Sequence, residues 1–176
     1  ASVGTTYQTL LWIVYLAPGV TAFALLARVL GNGWLALPGA FVALTLSGGL
    51  ASGVEGGVHL GMVPARLAWG LLPLIPLAME RWSGRRGTIP SLAVLLVAAV
   101  ALTHPAHLPA AAVLLALAAV ARHRREGPAP ASLALVLAGA LTAFWSFPLL
   151  LRLEHTRALA WGTLSVQTQV EMFGQP

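Results

Sequence analysis

The side chains able to do chemistry in this 176-residue sequence gather in three short stretches, dominated by arginine and histidine. The first, residues 47–66, reads S-G-G-L-A-S-G-V-E-G-G-V-H-L-G-M-V-P-A-R. Its glycines permit a backbone path that brings amides close to a ligand, and they frame Glu55 and His59. Arg66 closes the stretch just after Pro64, and a guanidinium is suited to gripping an oxyanion such as phosphate through two parallel N–H bonds. The second stretch, T-H-P-A-H-L-P at 103–109, sets His104 and His107 three positions apart. That spacing suits paired metal ligands on one helical face, but Pro105 between them works against a regular helix. No Asp or Cys exists in the chain to complete a ligand set, so no metal is expected. The pair is read instead as bonding carbonyls or a lipid phosphate. The third stretch, residues 143–157, places Arg152, Glu154, His155 and Arg157 after Phe144, Trp145 and Phe147. Such a patch can hold a sugar ring on an aromatic face while an Arg takes a phosphate. Each stretch also has a plain structural alternative: a flexible loop with a snorkelling Arg, an interfacial His pair, or an ordinary helix stop among headgroups.

The composition decides what kind of element must carry these residues. Charged residues make up 9% of the chain, hydrophobic ones 58%, and the mean hydropathy is +0.83. A soluble domain carries about 25% charged residues, so this chain cannot cover its surface with ions in water and reads as a membrane protein. All ten cations are Arg and all five acids are Glu, and the absence of Cys excludes disulfides and thiolate metal sites. The net charge of +5 does not point to nucleic acid, because the Arg residues lie between apolar runs rather than along a soluble basic stripe. Ala1 is not an initiator Met and no signal peptide is evident, so the chain is expected to be processed or part of a longer protein.

A membrane span needs about 20 mostly apolar residues, and that ruler predicts an all-α polytopic transmembrane bundle of about six Pro-kinked spans. They fall at 7–30, 34–50, 62–79, 89–103, 108–121 and 133–153, giving a transmembrane region over 1–153 and an extracytoplasmic interfacial tail over 154–176. The fourth and fifth are short, so their join at 104–107 is expected at shallow depth or in a re-entrant bend. Arg28, Arg81, Arg85, Arg86, Arg122, Arg124 and Arg125 fall on alternate connections, which assigns that side to the cytoplasm of a bacterial-type inner membrane. Arg66, Arg152 and Arg157, with four of the five His, then lie on the outer side.

The order of a Gly-rich outer loop, P-A-R-L-A-W-G-L-L-P-L-I-P-L-A at 64–78, an Arg-rich turn, A-L-T-H-P-A-H at 101–107 and L-T-A-F-W-S-F-P-L-L at 141–150 resembles the middle of GT-C-type polytopic glycosyltransferases. In particular it is similar to the 6-pyruvoyl-tetrahydropterin-synthase-related and YfhO-like membrane proteins. The resemblance implies an enzyme, without a cofactor, that transfers a sugar from a polyprenyl-phosphate donor on the outer face. It also implies an acidic base in a large outer loop after the first span. The present chain has no Asp and no such loop, so the catalytic loop is expected upstream, with Glu55 as the candidate base within the chain. Arg66, His59, His104, His107, Arg152 and His155 are the expected substrate-binding residues, in contact with membrane lipid or the lipid phosphate. The alternative is a non-catalytic subunit whose Ala-, Gly- and Leu-rich helices pack against partner membrane subunits. A transporter ranks third, because no charge falls near the midplane of a predicted span.

Overall fold

The computed structural model describes residues 2–45, 62–82, 89–126 and 129–152, without the side chains of 122–126. Nearly all of these residues are helical, with no strand among them. The helices are α1 (Val3–Leu30), α2 (Gly33–Thr45), α3 (Val63–Leu71), α4 (Leu74–Arg81), α5 (Ser91–Thr103), α6 (Leu108–Glu126) and α7 (Ala129–Leu151), with a 3₁₀ turn at Pro105–His107. The described part of each predicted apolar segment is therefore largely helical. The third is broken in two at Leu72–Pro73, where proline supplies no N–H to continue the ladder.

Local signals place the ends. Ser2 caps α1 by accepting the Thr5 N–H through its hydroxyl, 3.2 Å away. Gly31 closes the helix at φ 65°, a left-handed conformation that Gly adopts without strain. Asn32 Oδ1 then accepts the Trp34 N–H at 2.9 Å and starts α2. Most prolines sit where their missing donor does no harm: Pro64 in the first turn of α3, and Pro90 and Pro105 just before or at a start. Pro18, Pro38 and Pro148 lie within helices. The hydroxyls of Thr21, Thr103 and Thr142 turn back to carbonyls four residues earlier, at 2.7–3.0 Å, and so hide their polarity inside the helix.

The interior is built from small and branched side chains. Ala68, Ile75, Val97, Val100, Ala111 and Ala134 lie in one buried cluster formed by α3 to α7. Close approach of backbones brings the first three helices together. A Cβ on Gly70 of α3 would meet Ala17 Cβ of α1 at 2.8 Å, and one on Gly19 of α1 would meet Leu44 Cβ of α2 at 3.0 Å. The large apolar side chains face outward instead, among them Trp12, Val20, Trp34, Phe41, Val136 and Phe144. Two helices, Val3–Leu30 and Ala129–Leu151, are long and apolar enough to cross a membrane, while Gly33–Thr45, Ser91–Thr103 and Pro105–Ala121 are shorter apolar segments.

By packing, the chain divides into two compact units, Ala1–Thr142 and Ala143–Pro176. In the first, α1 lies against α2 and α3, and α4 lies against α5 and α6. In the second, the described residues are the last turns of α7 and Arg152, so the expected interfacial tail lies outside the described residues.

Candidate functional site

In the first unit, Arg66 and Trp69 on α3 and the His pair at the α5–α6 junction form adjoining polar groups. α5 ends at Thr103, where its last carbonyls have no partners inside the helix, and the described part of α2 reaches Thr45. α3 runs against the part of α1 that contains Pro18. Positions 66 and 69 are one turn apart on α3, so both side chains reach the same neighbour. Arg66 Nη2 donates to the Leu44 carbonyl at 2.5 Å, and Trp69 Nε1 donates to the Ala43 carbonyl at 3.3 Å. The same Arg66 Nη2 donates to the Tyr15 carbonyl at 3.1 Å. That carbonyl lies three residues before Pro18, whose ring disturbs the preceding turn and leaves the Val14 carbonyl without its helical donor. The Arg66 guanidinium carbon also stands 5.8 Å from the Tyr15 ring centroid, within cation–π range. With 0% exposure, Arg66 is the largest fully buried side chain among the described residues. A charge can be buried this deeply because carbonyl dipoles from two helices converge on it.

The next layer is the His pair. Thr103 ends α5, His104 turns to extended backbone at φ −158° and ψ 95°, and Pro105–His107 forms a single 3₁₀ turn before α6. This turn brings the two Nδ1 atoms to 2.9 Å and the ring centroids to 4.9 Å, edge to face. His107 is 2% exposed, and its ring centroid lies 6.4 Å from that of Trp69. One imidazole must donate and the other accept along the Nδ1–Nδ1 line, so the two rings carry opposite tautomers. If His107 donates, its buried Nε2 is a bare acceptor. That Nε2 has no hydrogen-bond partner among the described residues. Burial pushes both imidazoles below the usual His range, and a charge on His104 would push His107 lower still. Two imidazoles are too few for a structural metal site, and no group of three or more His, Cys, Asp or Glu that could hold a metal occurs among the described residues.

Beside this polar layer lies a cleft of about 550 Å³ between α1, α2, α3 and α6. Pro18, Leu26, Ala43, Trp69, Pro109 and Val113 are among its lining residues, all apolar but for the Trp69 indole N–H already bonded to Ala43. Trp69 thus forms one wall of the cleft while its ring adjoins His107.

Of the residues expected from sequence, the fold brings His104 and His107 into direct contact and sets Arg66 one helical turn from Trp69, which adjoins His107. Arg152 is exposed and belongs to the second unit, where its N–H donates to the Leu149 carbonyl at 3.1 Å. Glu55, His59 and His155 lie outside the described residues. Sequence reasoning missed Trp69, whose available signal was its place one turn after Arg66. It also missed the ion pair of Arg28 with Glu80, at 2.5 Å. No protein-family model, curated protein or solved structure matches this chain.

Proposed function

We propose that the chain is a polytopic integral membrane protein with about six spans, its Arg-rich connections in the cytoplasm of a bacterial-type inner membrane. Supporting this, only 22% of the apolar window in α1 and 17% of that in α7 is buried. A core helix of a soluble protein would be mostly buried, and here the large apolar side chains face outward over a small-residue interior.

On that scaffold we infer a GT-C-like role, with a polyprenyl-phosphate sugar as the lipid-linked substrate. The observation that carries this is the apolar cleft abutting a polar layer: the cleft accepts an isoprenoid chain, and the His pair beyond Trp69 lies where a phosphate head can be met. His104 and His107 face the head, and Glu55 is the candidate base. Arg66 acts as a positioning residue, since the carbonyls of Tyr15 and Leu44 take up its Nη2. That same occupation favours the second reading, a non-catalytic subunit of a membrane assembly, in which the intramembrane Arg serves packing alone.

The test is photolabelling of the purified protein in nanodiscs with a diazirine-bearing polyprenyl phosphate, alongside a sugar-transfer assay. Labelling should map to α3 and α6, yield to unlabelled polyprenyl phosphate, and fall at least tenfold in Val113→Trp, which fills an exposed wall of the cleft. Labelling that ignores both competitor and substitution would refute the lipid-chain site. Specific labelling without sugar transfer would favour the subunit reading.

A further inference from the structure

A second charged cluster lies at the other end of the first unit, where nothing in the sugar-transfer reading needs it. Arg28 occupies the last turn of α1, and Glu80 and Arg81 are the last two residues of α4. Arg28 Nε and Nη2 both reach Glu80 Oε1, at 2.6 and 2.5 Å, across 52 positions of sequence. Their side chains are 66% and 43% exposed, so this pair is open to whatever surrounds the helix ends.

Two clefts share the pair as a wall. One, of about 480 Å³, is lined by Ala24, Leu77 and Arg81 in addition to the pair. The other, of about 320 Å³, is lined by Leu25, Val29, Pro76, Ala118 and Ala121 in addition to the pair. Among its described lining residues the first cleft therefore carries two guanidinium groups against one carboxylate, a net charge of +1. The second is apolar apart from its charged rim. A water-soluble anion would use the first and leave the second without purpose, whereas a molecule with one phosphate and a hydrocarbon chain uses both.

We propose that this end of the molecule binds an anionic phospholipid, its phosphate on Arg81 and the outward edge of Arg28, with one acyl chain in the apolar cleft between α1, α4 and α6. The guanidinium fork matches a phosphate bidentately, and basic pockets between membrane helices on the cytoplasmic side suit anionic headgroups. The Arg28–Glu80 pair fixes the orientation of one fork and lowers the net charge to match a single phosphate. The inference rests on the membrane reading but not on the sugar-transfer reading, since it uses none of the residues around Trp69 or His107.

The experiment is native mass spectrometry of the full chain released from detergent, titrated with dioleoyl-phosphatidylglycerol or dioleoyl-phosphatidylcholine. Phosphatidylglycerol should bind at least fivefold more tightly. Arg81→Gln should weaken it about fivefold, the worth of one Arg near an anionic headgroup. Arg28→Lys, which keeps the charge and removes the fork, should weaken it by less than Arg28→Gln. Substituting both Arg85 and Arg86 by Gln should leave the preference in place. Equal binding of the two lipids, or a preference that survives Arg81→Gln and disappears with Arg85 and Arg86, would overturn the site in favour of a diffuse basic surface. A chain stripped from vesicles by alkaline carbonate overturns both this proposal and the membrane reading. A chain that stays embedded without lipid preference overturns this proposal only.

Discussion

Replacing Arg66 by Gln or Met separates a structural arginine from a substrate-binding one. In the structure its Nη2 bridges the carbonyls of Tyr15 in α1 and Leu44 in α2, with full burial and a Tyr15 ring contact. A hydrogen bond from a charged donor contributes about 1.5–3 kcal/mol, so losing both costs about 3–6 kcal/mol. Burying a guanidinium is itself costly, and Met removes that cost while leaving the two carbonyls without the donor, so Arg66→Met should fall at the lower end. For a chain of this length about 1 kcal/mol shifts Tm by roughly 2–4 °C, so Arg66→Gln should lower it by at least about 6 °C. The assay is thermal unfolding in a mild detergent followed by size-exclusion fluorescence, run beside the polyprenyl-phosphate labelling experiment. If Arg66 instead gripped the lipid phosphate, labelling would fall while Tm stayed within about 2 °C of the parent. That pattern would refute the bridging role.

Three further outcomes follow from the same geometry. Gly70→Ala should destabilise by about 1–3 kcal/mol, because its Cβ would meet Ala17 Cβ at 2.8 Å and part α1 from α3. Gly139→Ala, with nothing within 4 Å of the added Cβ, should be neutral or stabilising by up to about 1 kcal/mol; paired melts in one detergent check both. The depressed titration of His104 and His107 makes the folded state weaker in acid: as pH falls through about 6.5 the unfolded chain takes up protons that the buried imidazoles refuse. Stability should therefore be flat above neutrality and decline from pH 7 towards pH 5. His107→Gln should flatten that decline, and a parent Tm that rises on acidification would contradict the burial of the pair.

The helices were legible in the sequence because apolar run length is set by local composition alone, and the described residues of all six runs are largely helical. Pro73 and Pro76 signalled trouble in the third run, yet only packing decides that the chain breaks at Leu72–Pro73 rather than kinking. The His pair was half legible. Pro105 argued against a regular helix, but the 3₁₀ turn that brings the Nδ1 atoms to 2.9 Å depends on where α5 stops and α6 starts. Arg66 was not legible. A charge after Pro64 reads locally as a snorkelling or phosphate-binding group, while its carbonyl partners lie 51 and 22 positions away. Likewise the sequence set Arg28 among the arginines expected on one side, and its pairing with Glu80 needed the fold.

On the membrane reading proposed for this chain, the bridge made by Arg66 also orders its assembly. Alone, α3 is a poor candidate for partition into lipid, because it is short and carries an arginine worth about 2.5–3.5 kcal/mol against insertion. The acceptors that remove this penalty belong to α1 and α2, which leave the ribosome before α3. The third segment can therefore settle only onto a hairpin that has already formed, and a chain in which that hairpin is mispaired should stall with its arginine in water, exposed to quality-control proteases before the later helices are made.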